Sequence, residues 1–201
     1  MIREYAPLVG HSFKTGTTFL RPMQVLPERV TLEDPAVNVM TDLKSVSVVN
    51  VRAMTLMDNA NATMIRYGVR LLLVLDDTDK VVGLLTATDI LGENPMRFLH
   101  NVGGTHADIT VGDIMTPQHE LEVLKLQDVL SAKVGHVVAT LKQAGRQHAM
   151  AVEEYTDGNQ AVCGLFSATQ ISRQLGEQIQ TTEVARTFAE IEAVIGGERL
   201  L

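Results

Sequence analysis

Apolar and polar positions run through the same order twice along this chain. In the first copy, Val46 to Val51 is short and rich in β-branched residues, which predicts a strand. Thr55-Leu56-Met57-Asp58 has the form of a capping box, with Thr55 accepting from the first turn and Asp58 reaching back. Leu56, Ala60 and Met64 then share one helical face, and Gly68 supplies a left-handed stop. Leu71 to Leu75 reads as a buried strand, Asp76 to Asp79 as a turn, and Val81 to Leu85 as the antiparallel partner. A second helix is expected after Asp89. The second copy predicts a strand over Leu121 to Leu126, a helix from Ser131 to Ala144 and a stop at Gly145. Paired strands over Ala149 to Val152 and Ala161 to Phe166 follow, with a helix after Gln170. Gly135 inside the long helix costs roughly 1 kcal/mol against Ala. Each copy is β-α-β-β-α, and the expected fold class is α/β (α+β).

The repetition extends to single residues. Val39-Met40-Thr41 returns as Ile114-Met115-Thr116, and Gly68 as Gly145. Gly83-Leu84-Leu85-Thr86-Ala87-Thr88 returns as Gly164-Leu165-Phe166-Ser167-Ala168-Thr169. The spacing grows toward the end of the copy, and a duplication takes such insertions in turns. Glu153 to Gln160 is accordingly the longer counterpart of the Asp76 to Asp79 turn.

This order of motifs resembles the cystathionine-β-synthase (CBS) domain: Val-Met-Thr, a helix, Gly68-Val69-Arg70, a Leu-rich strand, then Gly83 to Asp89. Two copies resemble a tandem CBS pair, or Bateman module, over residues 37–175. The most specific fragments are Gly83 to Asp89 and Val111-Gly112-Asp113-Ile114-Met115-Thr116-Pro117. The expected organisation is an N-terminal extension over 1–36, repeat one over 37–100, a linker over 101–110 and repeat two over 111–178. A C-terminal amphipathic helix over 179–201 completes it, with Val184, Phe188, Ile191 and Ile195 on one face.

The resemblance implies two clefts between copies packed through their sheets, taking adenosine compounds such as AMP, ADP, ATP or S-adenosylmethionine. Thr86 closes a strand and Asp89 is expected to open a helix, so both would meet a ribose or phosphate there, with Thr88 beside them. A carboxylate such as Asp89 accepts from both ribose hydroxyls. Arg70 stands at the family's Gly-x-Arg position, from which a guanidinium reaches phosphate oxygens. The backbone from Asp42 to Val46 would edge the base. Each residue also has a plain role, since Asp89 serves as an ordinary helix cap and Thr86 satisfies a local N–H without any ligand. The second copy keeps a hydroxyl at Ser167 but has Gln170 in place of the aspartate and Gln147 in place of the arginine. Arg146 and His148 flank Gln147 and would have to serve the phosphates there. The second cleft is therefore expected to be the weaker.

Composition narrows the partners. Lys and Arg number 17 against 24 Asp and Glu, a net charge of −7, which argues against a nucleic-acid polymer bound through a basic surface. Aromatics are 4% with no Trp, so a base would be gripped by aliphatic side chains and backbone. The apolar run Leu71 to Leu75 falls far short of the roughly 18 residues of a membrane helix, and Met1 to Leu20 has no sustained apolar stretch. A cytoplasmic protein without membrane contact is expected. The six histidines show no metal spacing, the one cysteine, Cys163, falls in a buried strand, and neither Ser167 nor Ser172 has an activating His. No catalytic centre and no required cofactor are expected.

Two readings of different class follow: a non-enzymatic sensor of an adenine nucleotide, acting on an unknown effector protein or through a homodimer, and a ligand-free scaffold. Control of an enzyme or transporter in trans is a third. The first two separate on whether the Asp89 cleft is open and polar or plugged by side chains such as Met54 or Leu43.

Overall fold

The computed structural model describes residues 12, 14–18 and 23–181. Residues 182–201 of the expected C-terminal helix over 179–201 lie outside the described residues. The strands are β1 (Thr41–Asp42), β2 (Asn50–Arg52), β3 (Leu71–Leu75), β4 (Val81–Thr86), β5 (Thr116–Pro117), β6 (Val123–Lys125), β7 (His148–Glu154) and β8 (Gln160–Ser167). The helices are α1 (Met57–Tyr67), α2 (Ala87–Leu91), α3 (Asn94–Val102), α4 (Val111–Ile114), α5 (Leu126–Ser131), α6 (Val134–Ala144) and α7 (Ala168–Leu175).

Two four-stranded sheets form, and each takes one edge strand from the other copy. Their orders are β2-β3-β4-β5 and β1-β8-β7-β6. β1 opens the first copy yet pairs antiparallel with β8, Thr41 opposite Leu165. β5 opens the second copy yet pairs antiparallel with β4, Thr116 opposite Leu84. The exchange continues upstream in backbone hydrogen bonds. Met57 N donates to Ile109 O and Val111 N to Thr55 O, each at 2.8 Å. In the second copy Val134 N donates to Asp34 O at 2.8 Å and Ala36 N to Ala132 O at 2.9 Å. The two lead-ins thus lie on each other's copy, and neither copy completes its sheet alone.

The apolar run of β3 follows from burial on both faces, where alternation has no purpose. Leu72 and Val74 pack with Met57, Ala60 and Met64 of α1. Leu71 and Leu73 face the other way and join Leu84 and Met150, which brings the two sheets together. The second copy repeats this around the fully buried Phe166, with Val134, Leu141 and Cys163. Burial pushes the Cys163 thiol above its ordinary range. Both long helices end on a glycine with positive φ, Gly68 and Gly145 at 65° each, where an L-residue would be strained.

Several boundaries differ from the sequence expectation, and the exchange explains most. The strand over Val46 to Val51 shrinks to β2, and that over Leu121 to Leu126 shrinks to β6. Each has one partner strand only, β3 and β7 respectively. No capping box forms at Thr55: its hydroxyl accepts from Arg52 N at 3.3 Å, and Leu56 is the N-cap residue, without a side-chain cap. The carbonyl of Ile109 takes the Met57 N–H instead. Leu56 is exposed, and Met57 occupies the buried face with Ala60 and Met64. The helix over Ser131 to Ala144 is interrupted at Ala132 and Lys133, where the lead-in from Asp34 to Ala36 claims the backbone groups. Gly135 then stands in the first turn of α6, where a Cβ would lie 3.2 Å from Leu32 O. The helices expected after Asp89 and Gln170 begin at Ala87 and Ala168, because Thr86 and Ser167 are themselves the N-cap residues.

Candidate functional site

Because β3 and β4 meet β7 and β8 face to face, two clefts remain at the seam, each walled by both copies. The first has a volume of about 610 Å³. It gathers Thr86, Thr88 and Asp89 from the end of β4 and the start of α2, and Arg146, Gln147 and His148 from the turn into β7. The second, about 300 Å³, gathers Ser167 and Gln170 from the end of β8 and α7, and Arg70 and Val46 from the first copy. His148 lines this one as well.

The structure therefore regroups the residues singled out in the sequence. Arg70 and Val46 stand in the cleft of Ser167 and Gln170, not in that of Asp89. Arg146 joins Asp89 and lies outside the cleft of Ser167. Each cleft pairs the strand-to-helix junction of one copy with the glycine turn of the other, so residues near in sequence end in different sites. Asp42 lines neither cleft. Its carboxylate accepts from Lys44 N and Ser45 Oγ, both at 2.9 Å, and its N–H donates to Gln24 Oε1 at 2.8 Å. It shapes the turn after β1.

Asp89 is the third residue of α2 and closes a capping box with Thr86. Its Oδ2 accepts from both Thr86 N and Thr86 Oγ1 at 2.7 Å, and its Oδ1 accepts from Asn94 Nδ2 at 3.1 Å. Burial raises this carboxyl above its ordinary range, against the Thr86 hydrogen bonds and the Arg146 guanidinium, which draw it down. The Thr86 hydroxyl is spent on the cap. Groups left to meet a ligand are the Thr88 hydroxyl, the remaining capacity of Asp89 Oδ1 and Arg146, one of whose N–H groups goes to Glu120 O at 2.9 Å. Gln147, at the position equivalent to Arg70, donates through Nε2 to the hydroxyl of the buried Thr181. It ties the chain after α7 to the cleft wall.

Neither Met54 nor Leu43 enters the first cleft. Met54 is exposed and Leu43 lines the second. Leu84, Leu121 and Met150 supply aliphatic walls to the first cleft. Residues that the sequence did not point to are Asn94 and Glu122 in the first cleft, and Thr169 and Arg173 in the second. Arg173 was accessible to a periodicity argument, standing three residues after Gln170 on one helix face. Neither Arg70 nor Arg173 forms an ion pair among the described residues. Among the described residues no three His, Cys, Asp or Glu side chains gather to hold a metal, and no helix is long and apolar enough to cross a membrane.

The family model of the CBS domain matches residues 36–94. No curated protein matches the chain. Among solved structures, an uncharacterized conserved protein from Pyrococcus horikoshii is 22% identical, covering 71% of this chain and 92% of its own, with a TM-score of 0.51. CBSX2, a CBS-pair protein from Arabidopsis thaliana solved in complex with AMP, is 22% identical over 70% of this chain and 94% of its own, with a TM-score of 0.49. A CBS domain pair solved with 5-methylthioadenosine and S-adenosyl-L-methionine is 20% identical over 68% of this chain and 97% of its own, TM-score 0.47.

Proposed function

We propose that the chain is a tandem CBS module, one copy of which the family model matches over residues 36–94, and that it is a non-enzymatic sensor binding AMP, ADP or ATP in the Asp89 cleft. One observation carries this reading: an open cleft sets Thr88 and Asp89 of one copy against Arg146 of the other. Its volume lies within the 300–1,000 Å³ typical of small-molecule sites. A ribose diol can take the place of Asn94 Nδ2 on Asp89 Oδ1, and the free N–H groups of Arg146 suit a phosphate. Leu84, Leu121 and Met150 offer an aliphatic surface to the base. A nucleotide touching both copies stabilises one arrangement of the seam, and a homodimer or an effector protein in the cytoplasm reads that state.

Thermal unfolding with AMP, ADP, ATP and S-adenosylmethionine at millimolar concentration tests this. A nucleotide is expected to raise Tm, and Arg146→Ala to weaken its binding at least tenfold by calorimetry, about 1.4 kcal/mol. Asp89→Asn keeps an acceptor for Thr86 N while removing the charge, so binding should fall more than stability does. No shift with any of the four compounds would remove the sensor reading. One observation favours a ligand-free scaffold instead: the Asp89 carboxylate is already engaged by Thr86 and Asn94. The same experiment decides between the two.

A further inference from the structure

Among the described residues, His148 alone lines both clefts. It stands at the first position of β7, opposite Ser167, as Leu71 stands at the first position of β3, opposite Thr86. The seam therefore accepts a plain aliphatic side chain at this register, and a polar ring there has another use. His148 Nδ1 is sealed from solvent and has no hydrogen-bond partner among the described residues. A buried polar atom left unpaired costs the desolvation of that atom with nothing returned. Burial, with the Arg70 guanidinium adding to it, draws the ring down to about 4, so the imidazole is neutral at neutral pH. A neutral imidazole carries one N–H and one lone pair.

We propose that His148 is a ligand-contacting residue shared by the two clefts, so that a nucleotide in either one engages the same imidazole and weakens binding in the other. This rests on the nucleotide reading above. The ring has a single proton to give. With Nδ1 sealed, the ring meets a ligand through Nε2, and an acceptor in one cleft that takes the Nε2 proton leaves none for an acceptor across the seam. An ordinary hydrogen bond forgone sets the expected antagonism at about fivefold.

The test uses the full chain with isotope-labelled histidine, titrated with AMP and, in parallel, with ATP. The His148 ring signals are assigned by their loss in His148→Leu, which installs the residue found at the matching position of the first copy. Arg70→Ala impairs the second cleft and Arg146→Ala the first. The ring signals are expected to move on ligand binding in both of these variants. By calorimetry, the weaker site of the wild type should bind about fivefold less tightly than that cleft does alone in Arg146→Ala. In the His148→Leu background the two values should coincide. Binding confined to one cleft, binding without a ring response, or antagonism that survives His148→Leu overturns the proposal. Absence of any calorimetric binding of AMP or ATP overturns the nucleotide reading itself, a result distinct from all three.

Discussion

Acidification from pH 7 to pH 4 is expected to remove about 3 kcal/mol of folding stability through His148 alone. The unfolded imidazole takes up its proton below about 6.5, whereas the buried ring of the native protein stays neutral until about 4. Between those values the unfolded state binds more protons, so stability falls as pH falls. The contribution is complete above pH 6.5 and is lost on the way down to 4. At about 1.4 kcal/mol per pH unit the gap amounts to about 3 kcal/mol. Asp89 acts in the opposite sense. Burial raises its carboxyl, so protonation of the native protein relieves a cost that the unfolded chain does not carry.

Urea unfolding of wild type and His148→Leu at pH 7, 5 and 4 separates the two, since Asp89 and the exposed carboxylates are common to both proteins. The wild type should lose about 3 kcal/mol more than the variant between pH 7 and 4. Parallel pH profiles would show that the ring is not held neutral by its surroundings.

Gly83→Ala is expected to cost about 2–3 kcal/mol, as overpacking at a seam with no room to give. A Cβ on Gly83 would lie 2.6 Å from Met115 Sδ and 2.8 Å from Thr116 O. The thioether can swing aside, but Thr116 O belongs to the exchanged strand β5, whose pairing holds Gly83 opposite Pro117 and Leu84 opposite Thr116. Relief therefore means pulling an edge strand off the sheet. At the matching glycine of the second copy, Gly164, the three atoms nearest an added Cβ all belong to the flexible side chain of Met40. Gly164→Ala is accordingly expected to cost about 1 kcal/mol. Chemical unfolding of both variants measures the difference, and equal losses would contradict a rigid exchanged edge at β5. Thr116 also lines the first cleft, so Gly83→Ala should weaken nucleotide binding there, while Gly164→Ala should spare it.

The repeat, the paired strands β3–β4 and β7–β8 and the two glycine stops were all readable along the chain. They rest on local signals: a five-residue apolar run, a short polar turn, a glycine after a periodic helix. Met40 and Met115 were visible too, as members of the repeated opening motif, but not as residues set against Gly164 and Gly83. Asp89 was placed correctly beside Thr86, although as the opener of a helix and not as the third residue of one. A strand's last residue and a helix's N-cap look alike in sequence when one Thr serves as both.

From sequence alone, this protein is two β-α-β-β-α copies on an acidic, aromatic-poor chain, with Thr86, Asp89, Arg70 and Arg146 as the groups worth watching. Tertiary structure alone decided how those groups combine. The lead-in of each copy crosses to the other because its backbone donors and acceptors find partners there, at Met57 and Thr55 in one direction and at Val134 and Ala132 in the other. Packing the two sheets face to face then separates Arg70 from Asp89, brings Arg146 to it, and leaves His148 on the wall between two clefts. Periodicity reports which face of an element is apolar. Which element that face meets depends on contacts tens of residues apart, and such contacts leave no local pattern to read.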